Sequence, residues 1–204
     1  NYQMGEVLVE ALRGVSFSLL VRSSESFFHF LHDALPKLHL LGALAAHVDH
    51  FIVNGPPESF ARAWLERAGV PLEKVIWASP LSHFACEQLL FTGDLCHHQQ
   101  PTPWNLRALR STLKVETPSI PGRRMLWISR KSAYARQIAW EESITQLLPQ
   151  IEVVDLGRLS PAEQIGLCAD AAMLIGPHGA GFSNIAFCAP GTLQVELFPA
   201  RSID

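Results

Sequence analysis

Ala172-Met173-Leu174-Ile175-Gly176-Pro177-His178-Gly179-Ala180-Gly181-Phe182-Ser183-Asn184 reads as a strand, a glycine-rich turn and the opening of a short helix. Residues 172–175 form an unbroken apolar run of strand length, and the helix extends to about residue 187. Glycines in such a turn let backbone N–H groups approach a ligand closely. The helix start adds unpaired donors and a partial positive charge, both of which favour phosphate. The turn is neither G-x-G-x-x-G nor a Walker loop, so a phosphate cradle and a plain tight turn both remain open.

Working outward, the same alternation continues on both sides. Upstream, Ser160-Pro161-Ala162-Glu163 has capping-box form, with proline at the first helical position, and predicts a helix to about Ala169. Strands are predicted at 125–129, 151–155 and 192–197, with a helix over 140–148. Thr117 to Gly122 reads as a linker.

The first half shows strands at 15–21, 51–54 and 74–78. A helix over 58–68 places Phe60, Ala61, Trp64, Leu65 and Ala68 on one face, and Gly69 is its natural stop. Residues 25–44 look helical with Pro36 as an interruption. Residues 79–103 show no sustained period and are expected to be loop with short elements, before a helix over 104–114. Strand–helix alternation implies parallel sheets covered on both faces. The expectation is therefore an α/β chain of two Rossmann-like units, residues 1–118 and 119–204. Ligands of such sheets sit at the carboxyl ends of the strands.

Composition narrows the function classes. The 204 residues are 48% hydrophobic and 17% charged. That much apolar material excludes a disordered chain. The net charge of −3 disfavours a general nucleic-acid partner. The longest apolar stretch, Leu40 to Val48, falls short of the ~20 residues a spanning helix needs. No transmembrane segment or signal peptide is therefore expected. Asn1 as first residue, and Ser202-Ile203-Asp204 close behind an apolar run, suggest an excised fragment. Cys86, Cys96, Cys168 and Cys188 are dispersed, without C-x-x-C, and no Asn-x-Ser/Thr sequon occurs. Reduced, mostly buried thiols and a reducing compartment are the expectation.

Three further segments could carry chemistry. Between Arg123 and Arg136 five cations occur in fourteen residues with no acid among them. Arg130 and Lys131 stand just past a predicted strand's carboxyl end, where a diphosphate would suit guanidinium donors. Arg123 and Arg124 read better as surface charge. On the helix over 25–44, His29 and Asp33 are four apart and share a face, which allows a general base or a merely structural pair. Cys96-His97-His98 with Cys86 upstream matches no standard zinc spacing, so no metal site is expected. Glu163 is explained by capping, Gln164 is free to face a cleft, and Glu196 could meet a ribose or sugar hydroxyl.

Taken in order, these pieces resemble glycosyltransferase family 61. The resemblance rests on Phe28-His29-Phe30-Leu31 with Asp33-Ala34-Leu35-Pro36-Lys37, Ile52-Val53-Asn54, and Ile128-Ser129-Arg130 with Arg136. Ser160, Glu163-Gln164, His178 through Asn184, and Val195-Glu196-Leu197 complete it. It implies a GT-B architecture, two Rossmann-like domains facing a central cleft. It also implies an inverting, metal-independent transferase without a bound cofactor, taking a nucleotide sugar (a UDP-sugar is the expected donor) and a glycan acceptor. Capsular or surface polysaccharide synthesis fits bacterial relatives. The compartment would be the bacterial cytoplasm, with membrane association allowed, or the Golgi or endoplasmic reticulum lumen in a eukaryote. By the same resemblance Asp33 is the base, with His29 orienting or replacing it. Arg130, Arg136, Gln164, His178, Gly179, Ala180, Gly181, Phe182, Asn184 and Glu196 bind the donor. Trp140-Glu141 departs from the Asn-Glu of relatives, and relatives generally continue beyond the last strand. A catalytically inactive carbohydrate- or partner-binding domain of the same fold is the alternative. A serine hydrolase is disfavoured because no G-x-S-x-G elbow exists.

Overall fold

The computed structural model describes residues 8–23, 25–96 and 100–199. The chain divides into two compact units, residues 1–113 and 114–204, each with its own four-stranded parallel sheet.

In the first unit the strands are β1 (Glu10–Ser18), β2 (His50–Asn54), β3 (Val75–Ala78) and β4 (Phe84–Leu90), in the order β3-β2-β1-β4. The chain leaves β1 for β2 and β3 on one side, then crosses back to place β4 on the other. The carboxyl ends of β1 and β4 therefore flank the point where strand order reverses, the usual ligand position in such sheets. The short helices are α1 (Phe27–His29), α2 (Lys37–Leu41), α3 (Ala61–Arg67) and α4 (Pro103–Leu113). Helix α3 buries Ala61, Trp64 and Leu65, the predicted apolar face. Phe60 meets Phe27 and Phe30 edge to face, each with ring centres 5.5 Å apart. These contacts fix the α1 segment against α3.

Two expectations for this unit need correction. Residues 79–103 contain β4, seven residues in parallel register with β1, where a loop with short elements was expected. As an edge strand it leaves four of its seven side chains exposed, so it carries little apolar signal. Strand β1 also starts five residues earlier and ends three earlier than the apolar run 15–21 suggests.

The second unit comprises β5 (Arg124–Ile128), α5 (Glu141–Gln146), β6 (Ile151–Val154), α6 (Pro161–Ala169), β7 (Ala171–Pro177) and β8 (Leu193–Leu197). The sheet order is β6-β5-β7-β8, all parallel. Its reversal point lies between β5 and β7. Helix α6 has the predicted reciprocal cap. Ser160 Oγ accepts from Glu163 N at 3.3 Å, and Ser160 N donates to Glu163 Oε2 at 2.8 Å. That bonding holds the Glu163 carboxyl below its ordinary range. A 3-10 helix, Ala180–Phe187, follows the glycine-rich turn. None of the four cysteines forms a disulfide; Cys168 and Cys188 are buried, Cys86 and Cys96 half-buried.

Candidate active site

In the first unit the candidate chemistry lies on the segment between β1 and α2. Helix α1 passes into a wide π-turn over Phe30–Ala34, closed by Leu35 N donating to Phe30 O at 3.0 Å. Such turns recur at functional positions in helices. Pro36 supplies the local cause, because it has no N–H and its ring displaces the carbonyl four residues earlier. That carbonyl belongs to His32, and it receives other donors: Asn105 Nδ2 at 3.2 Å and Cys96 Sγ at 3.6 Å. His29 Nδ1 lies 2.9 Å from Asp33 Oδ2, and Cys96 N donates to Asp33 Oδ1 at 3.1 Å. Asp33 is 6% exposed, and His29 is the more open partner. The pair is thus a carboxylate-backed imidazole that keeps Nε2 for another partner. This is the arrangement that orients a general base.

Lys37, at the start of α2, is buried and donates to Leu20 O at 3.0 Å. Burial lowers its pKa, partly offset by Asp94 and Asp33. Burial, then the hydrogen bond with Asp33, pushes the Cys96 thiol up, so it stays protonated. Among the described residues no three His, Cys, Asp or Glu side chains cluster as a metal site would need. His97 and His98 of the weighed metal pattern lie outside the described residues.

In the second unit Arg130 follows the carboxyl end of β5, and the turn 176–181 follows β7. The Arg130 guanidinium lies against Gly179, in the space a Cβ there would occupy. Arg130 Nε donates to Ala135 O at 3.1 Å, which curls the loop 131–136 back on the arginine. Arg136 ends that curl in the left-handed region, at φ +59°. Burial, then the charge of Arg136, lowers the Arg130 pKa, so the two cations sense one another. Among the described residues neither has a carboxylate within ion-pair distance. Of the other three cations of the cluster, Arg124 pairs with Glu152 and Lys131 with Glu142, each at 2.5 Å. A guanidinium against a glycine turn, with a second arginine within electrostatic reach, can hold an anion of two or more charges.

The remaining predicted residues fall into place around this turn. His178 pairs with Glu196 through Nδ1 and stacks on Phe198 at 4.5 Å between ring centres. The second Glu196 oxygen accepts from Gln194, so this carboxylate orients His178 and has a protein partner on each oxygen. The Phe182 amide, expected among the diphosphate donors, instead donates to Gly179 O at 3.0 Å. Ala180 and Gly181 precede that first helical bond, and theirs are the N–H groups at the helix start. Asn184 is fully buried and donates to Gly181 O at 3.1 Å, which braces the turn. Gln164 is buried rather than free, its amide donating to Leu159 O at 3.0 Å.

Sequence reasoning passed over Glu141. This carboxylate is 2% exposed and accepts from Trp127 Nε1 at 2.8 Å and Ser129 Oγ at 2.7 Å. It thereby clamps the end of β5 one residue before Arg130. Neighbouring Glu142 equally lacks a basic residue at helical spacing yet is exposed, so local sequence does not mark Glu141 as the inward one. Trp140 beside it is exposed.

Among the described residues no helix is long and apolar enough to cross a membrane. No curated protein matches the chain. The family model described as Glycosyltransferase 61 matches residues 27–195, from the start of α1 into β8. The match takes in both residue clusters and the strands from β2 into β8, so the chain belongs to glycosyltransferase family 61 and is a glycosyltransferase.

Proposed function

We propose that the protein is an inverting, metal-independent glycosyltransferase that moves a sugar from a nucleotide-sugar donor to a glycan hydroxyl. The observation that carries this reading is Arg130, seated against Gly179 past the carboxyl end of β5 and within electrostatic reach of Arg136, neither arginine having a carboxylate at ion-pair distance among the described residues. In this reading the second unit holds the donor diphosphate. Its ligands are the two guanidinium groups, the Ala180 and Gly181 amides, and His178 held by Glu196. The first unit supplies the proton acceptor. A GT-B arrangement belongs to the proposal, supported by one parallel four-stranded sheet in each unit.

The chemistry follows from these assignments. The acceptor hydroxyl gives its proton to the His29–Asp33 pair as its oxygen attacks the anomeric carbon. His29, the more open partner, receives the proton, and buried Asp33 stabilises the imidazolium that forms. The bond from the anomeric carbon to the diphosphate oxygen breaks, and its electron pair leaves with the nucleoside diphosphate. Attack opposite the leaving group inverts the anomeric centre. Fixed cations and amides stabilise the charge gained by the diphosphate, the task a divalent metal performs elsewhere. Synthesis of capsular or surface polysaccharide is the biological setting this reading favours.

The deciding experiment is calorimetric titration with UDP and other nucleoside diphosphates in the presence of a chelator, alongside a turnover assay with a panel of nucleotide sugars. Binding is expected to survive the chelator and to fall at least tenfold in Arg130→Ala. Turnover is expected to fall by about 10²-fold or more in His29→Ala and Asp33→Asn, the usual scale for losing a general base. Glycan binding without donor binding would replace the transferase reading with that of a carbohydrate-binding domain.

A further inference from the structure

Asn105 lies on α4, far in sequence from the His29–Asp33 pair, yet it is fully buried and has every polar group engaged with a partner. Its Oδ1 accepts from Thr102 N at 3.0 Å and Thr102 Oγ1 at 2.5 Å, and its own N donates to Thr102 Oγ1 at 3.2 Å. Thr102-Pro103-Trp104-Asn105 is therefore a second reciprocal helix cap, built like Ser160-Pro161-Ala162-Glu163. The difference is chemical. A glutamate at that position can only accept, whereas the asparagine amide keeps Nδ2 to donate. That donor goes to the His32 carbonyl, the group Pro36 deprives of its helical partner.

We propose that Asn105 is a positioning residue for the reaction: it holds the His32 carbonyl, and so fixes the π-turn that aims Asp33. Three links carry the inference. His32 is buried, so its carbonyl would lose a substantial part of its hydrogen bonding if left alone. The cap makes the Asn105 side chain rigid, so its amide reaches the turn in one orientation. Cys96 ties the two groups together, because its Sγ donates to the same carbonyl while its N–H donates to Asp33 Oδ1. Release of the His32 carbonyl thus loosens Cys96, and with it the donor that orients Asp33. Among the described residues, His29 Nδ1 and the Cys96 N–H meet that carboxylate directly, and its charge acts on Lys37. Asn105 adds a directed dipole to them without adding a charge.

The inference rests on the reading of His29 and Asp33 as proton acceptor, and its test separates the two. Asn105→Ala is compared with Thr102→Val, which breaks the same helix cap but leaves Nδ2 in place. Both are expected to lower the melting temperature. Only Asn105→Ala should lower kcat, by about tenfold or more, with donor KM unchanged. Amide hydrogen exchange gives a readout free of catalysis: Cys96 N–H should lose protection in Asn105→Ala and keep it in Thr102→Val. Equal effects of the two variants on kcat and on Cys96 protection would overturn the positioning role. Should Asn105→Ala fail to fold, Asn105→Ser removes the Nδ2 donor while keeping a hydroxyl at the cap and adding no charge, and the same comparison applies. If Asp33→Asn and His29→Ala retain full turnover, the proton-acceptor reading fails. The exchange result then still reports on the Asn105 contact.

Discussion

The guanidinium of Arg130 fills the space that a side chain at Gly179 would need. The glycine backbone there is extended, with φ 169°, so any residue could adopt it without strain. What excludes a side chain is the arginine alone. Because the clash is with the far end of a flexible side chain, Gly179→Ala should fold normally and push Arg130 aside. Nucleoside diphosphate affinity should then fall about tenfold to a hundredfold, the scale of one lost charge-assisted contact, with melting temperature nearly unchanged. Calorimetry on Gly179→Ala beside Arg130→Ala checks this. Affinity equal to wild type would show that Arg130 does not need its present position.

Gly176, three residues earlier, behaves differently. Its φ is +156°, and a Cβ there would stand 2.6 Å from Ile128 O, a backbone atom of the neighbouring strand. Nothing flexible can yield, so Gly176→Ala should separate β7 from β5. The expected cost is about 2 kcal/mol or more. Urea denaturation read by tryptophan fluorescence measures it. A loss below about 0.5 kcal/mol, the ordinary surface-substitution range, would refute the close strand contact.

Why some of this could be read from sequence and some could not is a matter of where the information resides. Strand β2 announces itself through Phe51, Ile52 and Val53, because a strand buried on both faces must be apolar throughout. The edge strand β4 has no such requirement, and Glu87 and Gln88 hide it. The Ser160 cap and the His29–Asp33 pair are local, at spacings of three and four residues, and both are legible. The partners of Asp33, Glu141 and Glu196 are less accessible. Cys96 binds Asp33 through a backbone N–H, which any residue could supply. Glu196 meets His178 only because β7 and β8 run side by side in register. Sequence therefore showed which residue types were available, while the sheet decided which carboxylates were already committed to protein partners.

Glu141 offers a direct measure of one such commitment. Glu141→Ala would strand the Trp127 indole N–H and the Ser129 hydroxyl beneath the end of β5. One buried and one half-buried donor left without this partner should cost about 2–4 kcal/mol, with Glu141→Gln costing less because one oxygen remains. Since Ser129 precedes Arg130, donor KM should also rise in any Glu141→Ala protein that folds. Equilibrium unfolding of both variants checks the order. Equal stability of Glu141→Ala and wild type would contradict the clamp.

Lys37 makes a prediction about pH. Burial sets its folded-state pKa below the ordinary lysine value, with Asp94 and Asp33 offsetting part of the effect. Between the lowered folded value and the ordinary unfolded value near 10.5, the unfolded chain holds more protons on this group than the folded one. Stability contributed by this site must therefore rise with pH across that window, and the cost of the buried ammonium is fully present below it. Lys37→Met removes the titration but leaves Leu20 O without its donor. The stability of wild type relative to Lys37→Met should accordingly increase from pH 8 to pH 10. Other lysines titrate alike in both proteins and cancel in the difference. Urea unfolding of the pair at several pH values measures it, and a difference that stays constant or shrinks over that range would show that burial does not govern this lysine.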